Sequence, residues 1–151
     1  MFWHPNRPGV YFFSLDANSF PAVMGARLGW GLPYFSARMS LENQGDETLF
    51  TSKRNSAASH RVRYRIRKPL GPSEPGTLEH FLLERYLLFT ERKGRVTSGQ
   101  VYHTPYPARS AELIECDDTM AAAAGLQVGP TPQHVHYSDG VDVELFGLQT
   151  I

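Results

Sequence analysis

Arg61, Arg63, Arg65 and Arg67 stand on alternate positions, with His60, Val62, Tyr64 and Ile66 between them. A period of two puts all four guanidinium groups on one face of a strand. There they can follow a row of phosphates, hold an anionic ligand or a second subunit, or pair with the chain's own carboxylates. Tyr64 is the aromatic residue interleaved with them, and it falls on the opposite face, so the row lacks the stacking platform of a single-strand binder. His134 and His136 are also two apart, a spacing that suits a metal pair on a strand, with His103 available as a third ligand. No HExxH or CxxC accompanies them, and ordinary sheet histidines with hydrogen-bond partners fit the same spacing. No metal and no cofactor is inferred. Glu84-Arg85-Tyr86 and Tyr102-His103 would place an acid, a base and a phenol around one cavity, or form a buried polar network that fixes packing. GxSxG, P-loop and GxGxxG motifs are absent, so three common enzyme classes lack support. Whether the chain is an enzyme stays open, and no catalytic residue is assigned.

The elements that would position these groups follow from periodicity and punctuation. After Pro8-Gly9, residues 10–15 read as a strand buried on both faces. Asp16 or Asn18 caps a short helix with Pro21 in its first turn, and Gly31-Leu32-Pro33 breaks it. Residues 34–42 alternate apolar with polar, 43–46 form a hairpin turn, and 48–54 return. Residues 60–67 add a third consecutive antiparallel strand. A Pro/Gly loop over 69–76 leads to a helix capped by Thr77. Residues 86–90 and 95–104 are expected to pair around Lys93-Gly94, and 111–116 to form a further strand. Asp118 or Thr119 caps a short Ala-rich helix, and two short strands, 134–137 and 141–146, close the chain around Asp139-Gly140. The fold class is therefore α+β: mostly antiparallel sheet with two or three short helices, in a single domain over residues 1–151.

Composition narrows the role. Fifteen basic and fifteen acidic residues cancel, so no global field draws nucleic acid or an anionic membrane, and neither is taken as a partner. An apolar fraction of 41% supports a packed core. No run approaches the roughly 18 apolar residues that span a bilayer, and the first residues lack the pattern of a signal peptide, so a cytoplasmic protein is expected. Cys116 lies among Glu115, Asp117 and Asp118, neighbours that raise a thiol's pKa and argue against a nucleophile.

Three blocks carry a family resemblance. They are Pro8-Gly9-Val10-Tyr11-Phe12-Phe13-Ser14-Leu15-Asp16 with Gly25-Ala26-Arg27-Leu28-Gly29-Trp30-Gly31-Leu32-Pro33-Tyr34-Phe35, then Pro75-Gly76-Thr77-Leu78-Glu79-His80-Phe81-Leu82-Leu83-Glu84-Arg85-Tyr86, then His103-Thr104-Pro105-Tyr106-Pro107. In them the chain resembles the YqjF-like family of uncharacterised conserved proteins. It is more distantly similar to acetoacetate decarboxylase, whose sheet closes into a cone or barrel around an inner cavity. That enzyme follows a Trp-Gly-x-Pro segment with the lysine that forms its Schiff base. Here Trp30-Gly31-Leu32-Pro33 is followed by Tyr34, and Lys53, Lys68 and Lys93 are the only lysines.

The resemblance implies a partly closed sheet with a pocket for a small anionic or carbonyl ligand, and no lysine catalysis. Arg27 and Arg38 are the candidates for holding the anionic group, with Trp30, Tyr34, Glu84, Tyr86 and His103 around the cavity. A lyase or isomerase using Tyr34, Glu84 or His103 as acid or base is the first alternative, and a noncatalytic assembly domain the second. Family members carry a sizeable segment before the Pro-Gly-Val block. The expectation is therefore a fragment, or a homodimer or larger assembly that covers the exposed sheet edge.

Overall fold

A computed structural model describes residues 8–55, 57–92 and 94–150. The strands are β1 (Val10–Tyr11), β2 (Leu15–Ala17), β3 (Tyr34–Gln44), β4 (Glu47–Arg54), β5 (Ser59–Pro69), β6 (Leu87–Arg92), β7 (Arg95–His103), β8 (Arg109–Asp118), β9 (His136–Tyr137) and β10 (Val143–Thr150). Three short helices, α1 (Phe20–Gly25), α2 (Leu78–Leu83) and α3 (Met120–Ala123), join them. Six strands form one sheet in the order β2-β3-β4-β5-β8-β9, and four form another in the order β1-β6-β7-β10. The β1–β6 and β2–β3 pairs run parallel and the other pairs antiparallel. The result is a mixed, curled half-barrel with three helices, compatible with the α+β class expected from the sequence, and the sheet is divided in two where a single mostly antiparallel one was expected. The last two strands do not pair with each other around Gly140. Instead β9 joins β8 and β10 joins β7, so they bind the end of the chain to both sheets.

The β3–β4–β5 meander forms because its residues alternate in the same phase. Leu41, Phe50 and Val62 lie opposite one another on one face, while Glu42, Leu49 and Arg63 share the other. Gly45 makes the tight turn between β3 and β4 at a φ of 65°, where a Cβ would be strained. Across the sheet the arginine row meets carboxylates. Arg63 reaches Glu47 at 3.4 Å and Glu115 at 3.6 Å, and Arg65 reaches Asp46 at 3.0 Å and Glu47 at 2.5 Å. Arg61 pairs with Glu115, and Arg67 with Glu112. The row is a charge-paired lattice. The bond from Arg61 holds the Glu115 carboxyl below its usual range, and the bond from Arg67 does the same for Glu112.

A buried ion pair ties the N-terminal strands to this meander. Arg54 donates from Nε to Asp16 at 2.7 Å and bonds Ser14, and Ser52 donates to the other Asp16 oxygen at 2.7 Å. The Asp16 and Arg54 side chains are 11% and 8% exposed, enough burial that either one alone would be costly. Arg54 also lies 4.0 Å over the Phe35 ring.

The segment after β2 closes one end of the half-barrel. Pro21 sits in the first turn of α1, and residues Ala26–Trp30 continue as one wide π-helical turn. Gly31, at a φ of 66°, ends the turn in the left-handed conformation that glycine accepts. Thr90 donates to the Gly31 carbonyl at 2.9 Å, and Arg92 caps the carbonyls of Leu28 and Gly29 at 3.0 and 3.1 Å. These bonds seat the turn on β6. The Trp30 ring then lies over Gly99 of β7, where an added Cβ would come within 2.8 Å of it.

Candidate functional site

Between the four-stranded sheet and α2 lies a cavity of about 620 Å³, within the range of ordinary small-molecule sites. Its floor is the inward face of the sheet: Val10 of β1, Leu88 of β6, Val101 and His103 of β7, and Val143 and Leu145 of β10. These residues share a face because they are strand-paired or two apart along a strand. Phe12, Leu15, Leu32 and Tyr34 wall one side, and Leu82, Leu83, Arg85 and Tyr106 wall another. Thr77 accepts from the His80 N–H at 3.2 Å, which starts α2 and sets the phase that turns Leu82 and Leu83 inward.

A polar network stands at the cavity's edge. Glu84 is buried, and its carboxylate accepts from the Tyr86 hydroxyl at 2.5 Å and, more weakly, from Ser73 and the Tyr106 N–H, each at 3.4 Å. The bond to Glu84, with burial second, pushes the Tyr86 phenol up to about 12. The Tyr86 ring stacks on His103 at 4.6 Å, and the Tyr106 ring tilts against the same imidazole at 4.8 Å. Nδ1 of His103 lies 2.8 Å from the Thr104 carbonyl. A carbonyl only accepts, so Nδ1 carries a proton, and in the tautomer this selects Nε2 is the acceptor.

Arg85 is the charged residue in the cavity wall. Its Nη1 donates to the main-chain carbonyls of Glu84 at 2.9 Å and His80 at 3.5 Å, and its guanidinium lies 4.5 Å over the Phe81 ring. No carboxylate pairs with it among the described residues.

The residues singled out from sequence separate in space. Tyr34 and His103 line the cavity. Glu84 and Tyr86 form the network beside it, and Trp30 packs on the same sheet face at Gly99. Arg27 is exposed. It donates to the Tyr34 carbonyl at 2.5 Å and sits 5.3 Å over the Phe35 ring. Arg38 is exposed in an open groove on β3 and β4 beside Lys53. Neither arginine is among the cavity's lining residues. Arg85 was named only within the Glu84-Arg85-Tyr86 cluster and Tyr106 only within the third family block, and neither was assigned to ligand binding, although Arg85 follows α2 directly. Among the lysines, Lys53 and Lys68 are exposed, and Lys93 lies outside the described residues.

The histidine pair is not arranged on a strand. His134 is exposed in the preceding loop, while His136 opens β9 and lies 3.9 Å from Glu79. Among the described residues no three His, Cys, Asp or Glu side chains gather as a metal site would require. Burial and the neighbouring Asp118 and Asp117 raise the Cys116 thiol. Also among the described residues, no helix is long and apolar enough to cross a membrane.

Fold and site together define a β-rich protein with a largely apolar cavity held between a four-stranded sheet and a short helix. Residues 3–142 match the model of DUF2071, described as an uncharacterized conserved protein family. The chain is also 34% identical over 149 residues to the uncharacterized protein YqjF of Bacillus subtilis (strain 168). That match covers 97% of this chain and 61% of the relative, so the chain spans about three-fifths of the curated relative's length. The chain belongs to the DUF2071 family.

Proposed function

We propose that this chain binds a small molecule in the cavity between the four-stranded sheet and α2. The observation that carries the reading is the cavity's lining: aliphatic and phenylalanine side chains over most of its wall, with Arg85, His103, Tyr34 and Tyr106 as convergent polar groups. The distant similarity to acetoacetate decarboxylase fits this reading at the level of architecture. Tyr34, which stands where that enzyme carries its lysine, lines the cavity and offers a hydroxyl in place of an amine, so the ligand is held without a Schiff base.

Binding of the neutral dye Nile red tests the proposal. Its fluorescence should rise on adding the protein, and Val101→Phe, which extends a side chain from the cavity floor, should weaken that rise at least several-fold while circular dichroism stays unchanged. Equal binding by the folded variant would place the dye elsewhere and refute the cavity as the site.

A second reading has one observation in its favour. The Thr104 carbonyl fixes the His103 tautomer so that Nε2 is a ready proton acceptor, and Tyr34 supplies a hydroxyl in the same cavity. That arrangement suits a lyase or isomerase that removes a proton from the ligand. The same account takes the protein to be a homodimer or larger assembly, because Phe20, Met24 and Leu28 form an exposed apolar stripe along α1 and the turn that follows.

A further inference from the structure

Resting on the cavity as a binding site, we infer that its ligand is a carboxylic acid with an apolar body, the carboxylate seated on Arg85. Three observations lead there. First, Arg85 brings the charge to the cavity wall. The neighbouring Glu84 carboxylate does not neutralise it, because that group faces Tyr86, Ser73 and the Tyr106 N–H. A half-buried cation among leucines and valines lowers the free energy of an anion that joins it, and raises that of a second cation. Second, the guanidinium is partly committed. Nη1 is taken by two main-chain carbonyls, whereas Nε and Nη2 have no protein partner among the described residues. Those two donors form the edge that grips a carboxylate through parallel bonds. Third, the edge is held in place before any ligand arrives, by the carbonyls on Nη1 and the Phe81 ring beneath. Little rotamer entropy remains to be lost on binding.

The rest of the wall sets the other end of the ligand. Away from Tyr34, His103 and Tyr106, Leu32, Leu83, Val101 and Leu145 offer no donor or acceptor, so the body of the ligand against them is hydrocarbon. A phosphate would need more cations than one arginine supplies. A free inorganic anion would leave the apolar volume unfilled. An acid with a hydrocarbon chain satisfies both ends, and decanoate serves as its probe.

The test compares decanoate, decanol and decylamine as competitors for Nile red on the parent chain. Decanoate should displace the dye at about a tenth of the concentration that decanol needs, the difference a charge-assisted pair provides, and decylamine should be weakest. Arg85→Met should bring the displacing concentration of decanoate to that of decanol, read as the ratio of the two on the same variant, and Arg85→Lys should recover part of the preference. Decanol or decylamine matching decanoate on the parent chain would overturn the carboxylate and leave the cavity reading standing. That comparison needs no variant to fold. Failure of Nile red to bind the parent at all would remove the cavity reading itself, and this inference with it.

Discussion

His103, Glu84 and Tyr86 show how three titratable side chains can share one hydrogen-bonded and stacked cluster. The carboxylate of Glu84 takes its hydrogen bonds from a phenol, a serine and a main-chain N–H, and the imidazole stacks on that same phenol. The phenol proton is therefore the pivot. Tyr86 should ionise at about 12, followed by ultraviolet absorbance, and Glu84→Gln should bring its ionisation back toward 10, the ordinary value for tyrosine. Because the folded-state value is raised, the stabilisation is fully present below pH 10 and is lost as pH rises through about 12. An unchanged titration in the variant would show that Glu84 does not hold that proton. The sequence showed Glu84, Tyr86 and His103 as chemically able residues but did not reveal which arginine would join them. Arg27 and Arg85 each lie near the end of a short helical segment. Only the chain's path across the sheets turns Arg85 to the cavity and lays Arg27 along the Tyr34 main chain.

At the scale of elements, the Asp16–Arg54 pair locks β2 to the meander. Asp16→Ala should destabilise the protein by about 3–5 kcal/mol, because it strands a buried guanidinium. The double variant Asp16→Leu/Arg54→Met should recover much of that loss, as an apolar pair leaves no charge uncompensated. Denaturant unfolding of the parent and the two variants checks this. A single variant within 1 kcal/mol of the parent would contradict the account. The meander itself was legible, because a period of two in residues 34–67 leaves little choice of phase. Thr77 as a helix cap and the break at Gly31 were legible for local reasons of the same kind. Strand partnership was not. The parallel pairings of β1 with β6 and β2 with β3 link residues more than a dozen positions apart, and nothing in the composition of so short a strand names its partner. For the same reason the partners of β9 and β10 were not legible, and the two strands join different sheets.

At the scale of the whole molecule, Phe20 and Leu28 are 67% and 68% exposed on one stripe with Met24, an apolar surface of the kind that a second subunit covers. Sedimentation at micromolar concentration should therefore find a dimer or larger species, and Phe20→Ser/Leu28→Ser should shift it toward the monomer. A parent chain that sediments as a monomer would contradict that reading of the stripe and leave the cavity untouched. The central claim concerns where a small molecule sits, and a nuclear magnetic resonance titration tests it most directly. Backbone amide shifts are followed while decanoate is added to the isotope-labelled protein. The account predicts saturable shifts gathered at Leu83, Arg85, Leu88, Val101, His103 and Leu145. Saturable shifts gathered instead at Phe20, Met24 and Leu28, or along the arginine row of β5, would contradict it.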